Sequence, residues 1–340
     1  MTACKTIPNR ILPVFVPHMG CPEQCVFCDQ KRISGSPSSF AAERAETALA
    51  QARSSGLRAL QLAYYGGSFT AIPLAQQERL LSLAQPYLAD GTISSLRVST
   101  RPDAVDETTL RRLAAAGVTV VELGAQSMDD GVLERCRRGH TAADTRRAAE
   151  LVHAAGFSLV LQMMTGLPGS DRETDVRTAR AIAALCPQAV RIYPTVIVRD
   201  TPLETLWRRG AYREHTVADA VAVCADILPL FEQRGIAVIR LGLNPTEELS
   251  AGGAVGGAYH PALGELVRGE CLRRRAAEHL AAAALPGDCR IALCVPPRLL
   301  SALTGHGAGP LRALERTFAR PVCAVADPSA EELVVRFLPV

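Results

Sequence analysis

A chain of 340 residues, 48% hydrophobic and 21% charged, is long enough for one large domain with a smaller companion, and this composition excludes an intrinsically disordered protein. No apolar run reaches the roughly 18 to 20 residues of a membrane-spanning helix, and Met1–Pro8 carries neither the apolar segment nor the cleavage site of a secretory leader. A cytoplasmic protein without membrane contact is expected, and a formal net charge of +3 is too small to argue by itself for a nucleic-acid partner.

The first strand-like run, Ile11–Val16, leads into Cys21-Pro22-Glu23-Gln24-Cys25-Val26-Phe27-Cys28. Clustered cysteines in a reducing compartment read as metal ligands rather than disulfides. Three thiolates on one short loop can converge on an iron–sulfur cubane and leave one iron without a protein ligand. Zinc held by the same cysteines and His18, in a non-catalytic module, is the alternative. Of the eleven cysteines, Cys136, Cys186, Cys224, Cys271, Cys289, Cys294 and Cys323 sit in apolar segments and read mostly as small buried hydrophobes.

The pattern then alternates: helix Ala41–Ser54, strand Ala59–Tyr65, helix Ala75–Leu88, strand Leu96–Thr100, helix Glu107–Ala116, strand Thr119–Leu123, helix Ala142–Ala155, strand Ser158–Met164, helix Arg172–Leu185, and strands Val190–Thr195 and Ile236–Leu241. Near-continuously apolar strands separated by amphipathic helices predict a parallel sheet covered on both faces. About six βα repeats make an α/β fold, a partial (β/α)6 barrel over residues 1–243, with functional residues at the carboxyl ends of the strands. Polar residues stand at those ends: Tyr65-Gly66-Gly67-Ser68, Ser99, Gln126, Arg138, Gln162 and Tyr193. A polar group closing an apolar strand needs a partner, which a polar ligand in the barrel mouth would supply.

Residues 244–261 break the rhythm with Asn244-Pro245 and a glycine-rich run, and read as a linker or active-site loop that could deliver Tyr259 or His260 as catalytic groups. Residues 262–340 read as a small α+β unit: helix Leu263–Ala284, strand Arg290–Cys294, helix Pro297–Leu303, loop Gly305–Gly309, helix Leu311–Phe318, and strands Val322–Val325 and Glu332–Phe337. This order weakly resembles a KH domain, which clamps single-stranded nucleic acid at a Gly-x-x-Gly turn. Gly305-His306-Gly307-Ala308-Gly309 lacks that spacing, and a small packing domain is the alternative. Arg268 and Arg273-Arg274-Arg275 are candidate phosphate contacts.

Cys-x3-Cys-x-aromatic-Cys after the first strand, with Gly-Gly after the second, resembles the signature of the radical S-adenosylmethionine (SAM) superfamily. From about residue 10 to 243 the series resembles the catalytic subunit of Elongator and, more distantly, oxygen-independent coproporphyrinogen oxidase. The resemblance implies that Cys21, Cys25 and Cys28 hold a [4Fe–4S] cluster whose open iron binds SAM. It places Gly66, Gly67 and Ser68 at the methionine amino group, and Ser99, Gln126, Arg138 and Gln162 at the ribose and carboxylate. Phe15 and Tyr193 fall near the cluster and adenine. It further implies hydrogen abstraction from an organic substrate, RNA or tRNA first, and a reductant such as flavodoxin or ferredoxin. A small metabolite or tetrapyrrole is the second substrate class. Two departures stand out: the Elongator subunit spaces its first two cysteines further apart, and the oxidase has acidic residues where Ser99 and Gln162 stand here. No acetyltransferase-like segment follows the barrel in this sequence, so carboxymethylation of tRNA by this chain unaided is not expected.

Overall fold

A computed structural model describes residues 10–16, 25–29, 41–285 and 287–339. Cys21 and His18 lie outside the described residues. The chain forms two compact units, Met1–Thr216 with Ile227–Tyr259, and Val217–Asp226 with His260–Val340.

In the first unit, strands β1 (Ile11–Val16), β2 (Leu60–Gly66), β3 (Ile93–Thr100), β4 (Val118–Gln126), β5 (Ser158–Thr165) and β6 (Ala189–Pro194) pair in sequence order. A short β7 (Val196–Val198) leaves the sheet, and β8 (Ala237–Leu241) adds to β6, giving seven strands, all parallel. This is the expected open barrel. Alternation decides which side chains face out. Tyr64 and Val98 are partners in the register, and the Tyr64 hydroxyl donates to the Leu80 carbonyl of helix Leu74–Ala89 at 2.6 Å. That helix, with Glu107–Ala115, Ala142–Ala154 and Arg172–Ala184, buries an apolar stripe including Leu80, Leu81, Leu113, Val152 and Ile182. Asp106, Thr141 and Asp171 start three of these helices by accepting from the backbone N–H three residues on, a cap worth about 1 kcal/mol each.

The inward positions are unusual for a barrel. Val120, Val160 and Ala189 form an apolar layer. Beside and above it strands β3 to β6 turn in Arg97, Glu122, Gln162 and Arg191, and nearer the carboxyl ends β2 to β6 turn in Tyr65, Ser99, Gly124, Met164 and Tyr193. A barrel built only for packing fills these places with branched apolar residues. Here polar groups rise from the middle of the strands toward their carboxyl ends.

Residues 244–261 carry more structure than a linker. A π-helical turn at Leu249–Gly253 leads into β9 (Ala254–Gly257), which pairs antiparallel with β7. Helix Val217–Glu232, apolar on nearly every face and interrupted by Pro229, escapes the amphipathic pattern that revealed the other helices.

The second unit packs helices Leu263–Ala282, Pro297–Thr304 and Gly309–Phe318 with a sheet in which β10 (Cys289–Val295) lies between β11 (Val322–Ala326), parallel, and β12 (Val334–Pro339), antiparallel. Leu272, Leu280, Ile291, Leu293, Leu303 and Leu314 are among its core residues. Two candidate phosphate contacts are already engaged. Arg273 and Arg274 both donate to Glu270 at 2.7–2.8 Å, and Arg274 also reaches Asp226 at 2.8 Å.

A polar cavity at the carboxyl ends of the strands

A cavity of about 320 Å³ opens where the strands of the first unit end. Phe15, Gly66, Gly67, Ser68, Ser99, Gln126, Arg138, Gln162 and Tyr193 all line it, together with Cys28. Its volume falls within the range of small-molecule sites.

The cysteine turn is anchored on the barrel. The Cys28 N–H donates to the Cys25 carbonyl at 3.1 Å, the Val26 N–H to the Cys136 carbonyl at 3.2 Å, and the Leu203 N–H to the Val26 carbonyl at 2.8 Å. Cys25, Val26 and Phe27 are buried with Val132, Cys136, Met164 and Leu167, an apolar collar around the Cys25 thiol. Arg138 reaches this turn from the loop after β4. Its Nη1 donates to Cys25 Sγ at 3.3 Å and its Nη2 to the Gly124 carbonyl at 2.8 Å. A side chain added at Gly124 would meet Gln126 Nε2 at 3.0 Å, so glycine there makes room for that amide. Burial pushes the Cys136 thiol up to about 12, which keeps it a neutral packing group. Burial, reinforced by Arg138, pulls His140 down to about 4, so its imidazole is neutral at physiological pH.

Across the cavity, Gly66 adopts φ +103°, a conformation open to glycine but not to ordinary residues. The Gly67 N–H donates to the Val16 carbonyl at 2.8 Å, tying this turn to the strand that leads into the cysteine loop. Ser68 Oγ accepts from the Arg101 N–H at 2.8 Å and meets Thr100 Oγ1 at 3.2 Å. On this evidence the Ser68 hydroxyl braces the turn. Gln126 has φ +63°, strained for a side chain of its size, and ends β4 at an irregularity in the register with β5. Its Oε1 accepts from Gln162 Nε2 at 3.2 Å, so the two amides hold each other at the cavity wall.

The floor is a network that the strand-end reading missed. Arg191 Nε lies 3.1 Å and 3.2 Å from the two oxygens of Glu122. Arg191 Nη1 donates to the Tyr193 hydroxyl at 3.2 Å and Nη2 to the Tyr65 hydroxyl at 2.6 Å. Beneath, fully buried Arg97 donates through Nε to Gln61 Oε1 at 2.7 Å and lies 3.6 Å from Glu122. The signal was present: Gln61, Arg97, Glu122, Gln162 and Arg191 interrupt the apolar stretches of five successive strands. Their common layer shows only once the register is known.

Tyr259 and His260 are not brought to this cavity's lining. The Tyr259 and Ser250 hydroxyls share a hydrogen bond of 2.9 Å, and His260, in the second unit, accepts at Nδ1 from the Ala262 N–H at 3.1 Å.

Two features suit this cavity to a cluster and a small zwitterionic cofactor. A buried guanidinium already donates to a thiol sulfur of the cysteine turn, and its Nε is buried with no hydrogen-bond partner among the described residues. A ligand carboxylate would meet that donor set in the bidentate fashion guanidinium favours.

Comparison with known proteins bears on the same residues. The family described as the radical SAM superfamily matches residues 15–182, and the radical SAM C-terminal domain matches residues 187–273. The tRNA uridine(34) acetyltransferase of Methanocaldococcus jannaschii is 35% identical over 141 residues, 40% of this chain and 26% of that protein. Elongator complex protein 3 of Danio rerio is 33% identical over 185 residues, 48% of this chain and 34% of that protein. The chain thus spans about a quarter to a third of the length of these curated relatives. Among solved structures, archaeal Elp3 from Methanocaldococcus infernus superimposes with a TM-score of 0.61 at 22% identity, covering 81% of this chain and 64% of that one. Coproporphyrinogen III oxidase from Escherichia coli gives 0.50 at 17%, covering 80% and 75%; both likenesses speak for the fold. With a parallel half-barrel, a cysteine turn at its cavity and two consecutive family matches from residue 15 to 273, this chain belongs to the radical SAM superfamily and is a radical SAM enzyme.

Proposed function

We propose that this enzyme abstracts a hydrogen atom from an RNA substrate, tRNA first, with Cys21, Cys25 and Cys28 as cluster ligands and the strand ends as the SAM site. The observation that carries this reading is the buried Arg138 hydrogen bond to Cys25 Sγ inside a cavity lined by the polar strand ends. When bound, the cluster and SAM together supply one-electron cleavage of a sulfonium and hydrogen-atom abstraction from the substrate.

The chain's own residues bind, orient and exclude water. Cys25 and Cys28 sit on one anchored turn, and the apolar collar of Val26, Phe27, Met164 and Leu167 keeps solvent from it. Arg138 offers its remaining N–H groups to the cofactor carboxylate. Gly66 and Gly67 let backbone approach the amino group, Gln126 and Gln162 present amides to the ribose side with Ser99, and Phe15 and Tyr193 flank the ring. Tyr259 and His260 are left out of this site, because neither stands at the cavity lining.

The relatives whose names specify tRNA uridine(34) and the Elongator complex support RNA as the substrate. A flavodoxin or ferredoxin is the electron donor this reading calls for. Binding to tRNA, measured across a salt series against a non-specific duplex, tests the substrate class. Affinity for tRNA at least tenfold above the duplex at each salt concentration supports it; equal affinities turn the reading to a small molecule.

A further inference from the structure

The floor of the cavity has donors that no described residue uses. A phenol has one O–H donor and two acceptor lone pairs. Arg191 donates to both the Tyr65 and Tyr193 oxygens, so the two phenol protons must point away from the guanidinium. Among the described residues neither proton has an acceptor, and both tyrosines line the cavity. Arg191 cannot swing aside, because Glu122 grips its Nε from below and its guanidinium lies 4.9 Å above the Tyr65 ring.

Charge points the same way. The floor holds two guanidinium groups, Arg97 and Arg191, and one carboxylate, Glu122. Arg97 is 0% exposed and its Nη1 and Nη2 have no hydrogen-bond partner among the described residues, so the positive excess is not discharged within the floor. A buried unbalanced charge is costly and favours an anion in the adjoining space. Burial, with Glu122 adding to it, pushes the Tyr65 phenol up to about 12, and burial raises Tyr193 as well, so both remain proton donors at neutral pH.

We infer that Tyr65 and Tyr193, clamped by Arg191 and Glu122, form a paired-donor subsite that binds an anionic oxygen of the substrate, carboxylate or phosphate. The subsite rests on the SAM-site reading above: the Tyr193 ring is taken to flank the cofactor, while its hydroxyl, held by Arg191 with that of Tyr65, is taken to face the part of the cavity left to the substrate. Each phenol donates one hydrogen bond, strengthened by the guanidinium behind it, and no proton is transferred.

The test uses the full chain with its cluster assembled, labelled with 3-fluorotyrosine, in the presence of SAM. Acetate, inorganic phosphate and acetamide are titrated while the fluorine resonances are followed, the two signals being assigned from Tyr65→Phe and Tyr193→Phe. Acetate or phosphate should shift both signals, and acetamide should bind at least tenfold more weakly than acetate. Which anion binds tighter identifies the oxygen source. Either single substitution should weaken the anion at least fivefold; should one variant fail to fold, the other carries the test. Equal binding of acetate and acetamide, unchanged affinity in the variants, no shift with any probe, or shifts that appear only when SAM is omitted would each overturn the inference. The measurement reads binding rather than turnover, so a protein that binds acetate here yet never cleaves SAM would leave this subsite standing while the functional reading fell.

Discussion

Arg138 is the residue on which two tasks meet. It donates to Cys25 Sγ and to the Gly124 carbonyl, and it stands where the cofactor carboxylate is proposed to bind. A cationic donor aimed at a cluster sulfur stabilises the more negative, reduced cluster, because hydrogen bonds to the sulfurs set potential. Arg138→Met should therefore lower the ratio of reduced to oxidised cluster at a fixed potential about tenfold without SAM, equal to about 59 mV for one electron. Arg138→Lys should recover part of this, and an EPR-monitored redox titration checks both. Cys136 makes the complementary case. Its thiol is fully buried in the collar around Cys25, and burial keeps it protonated. Cys136→Ala should keep its iron, whereas Cys25→Ala and Cys28→Ala should each lose most of it, as iron analysis after anaerobic reconstitution would show.

Among the elements, the turn after β5 supports the cavity from outside it. Gly166 has φ +70°, and a side chain there would fall 2.0 Å from the His215 ring, which a shift of that ring alone could relieve only by breaking its hydrogen bond to Thr165 at 3.1 Å. The Gly166 carbonyl accepts from the Tyr212 hydroxyl at 2.7 Å, and its N–H donates to Asp175 at 2.8 Å. Gly166→Ala should cost about 2 to 4 kcal/mol, combining backbone strain with overpacking, in chemical denaturation. Asp175 adds a pH signature. Burial pushes its carboxyl up to about 6, against the hydrogen bonds from Ser170 and Gly166 that favour the anion. The folded form thus holds its proton where the unfolded chain has lost it. Its contribution to stability is full below about pH 4 and is lost as pH rises to about 6, a change of about 2 to 3 kcal/mol at most. The stability difference between the wild type and Asp175→Asn should follow that slope and be flat above pH 7.

These elements were unequally legible. The barrel strands announce themselves as apolar runs, and the β10–β12 unit was readable strand by strand. Helix Val217–Glu232 was not, since a helix apolar all round lacks the 3.6-residue contrast. Strand β9 is four residues, two of them glycine, and forms only because β7 offers an edge. At the site, residues at strand ends could be named from the sequence because polarity after an apolar run is conspicuous. Glu122 and Arg191 escaped because a mid-strand polar residue gains meaning only when neighbouring strands set it beside another. Tyr259 and His260 were attractive for the glycine run before them, but that run is partly a strand, and Tyr259 is tied to Ser250.

For the whole molecule, the chain spans only about a quarter to a third of the length of its tRNA uridine(34) acetyltransferase and Elongator relatives. What those larger proteins do with their other segments does not transfer. The barrel does carry a cavity that places one thiol, three guanidinium groups and two glutamine amides around one small volume. The most direct test is to assemble the cluster anaerobically in the full chain, reduce it with dithionite in the presence of SAM, and quantify 5′-deoxyadenosine beside Cys25→Ala and Cys28→Ala. The account predicts time-dependent product from the wild type and none above background from either variant. Product formation that survives loss of both thiols, or an iron-loaded wild type that leaves SAM intact under reduction, would contradict it.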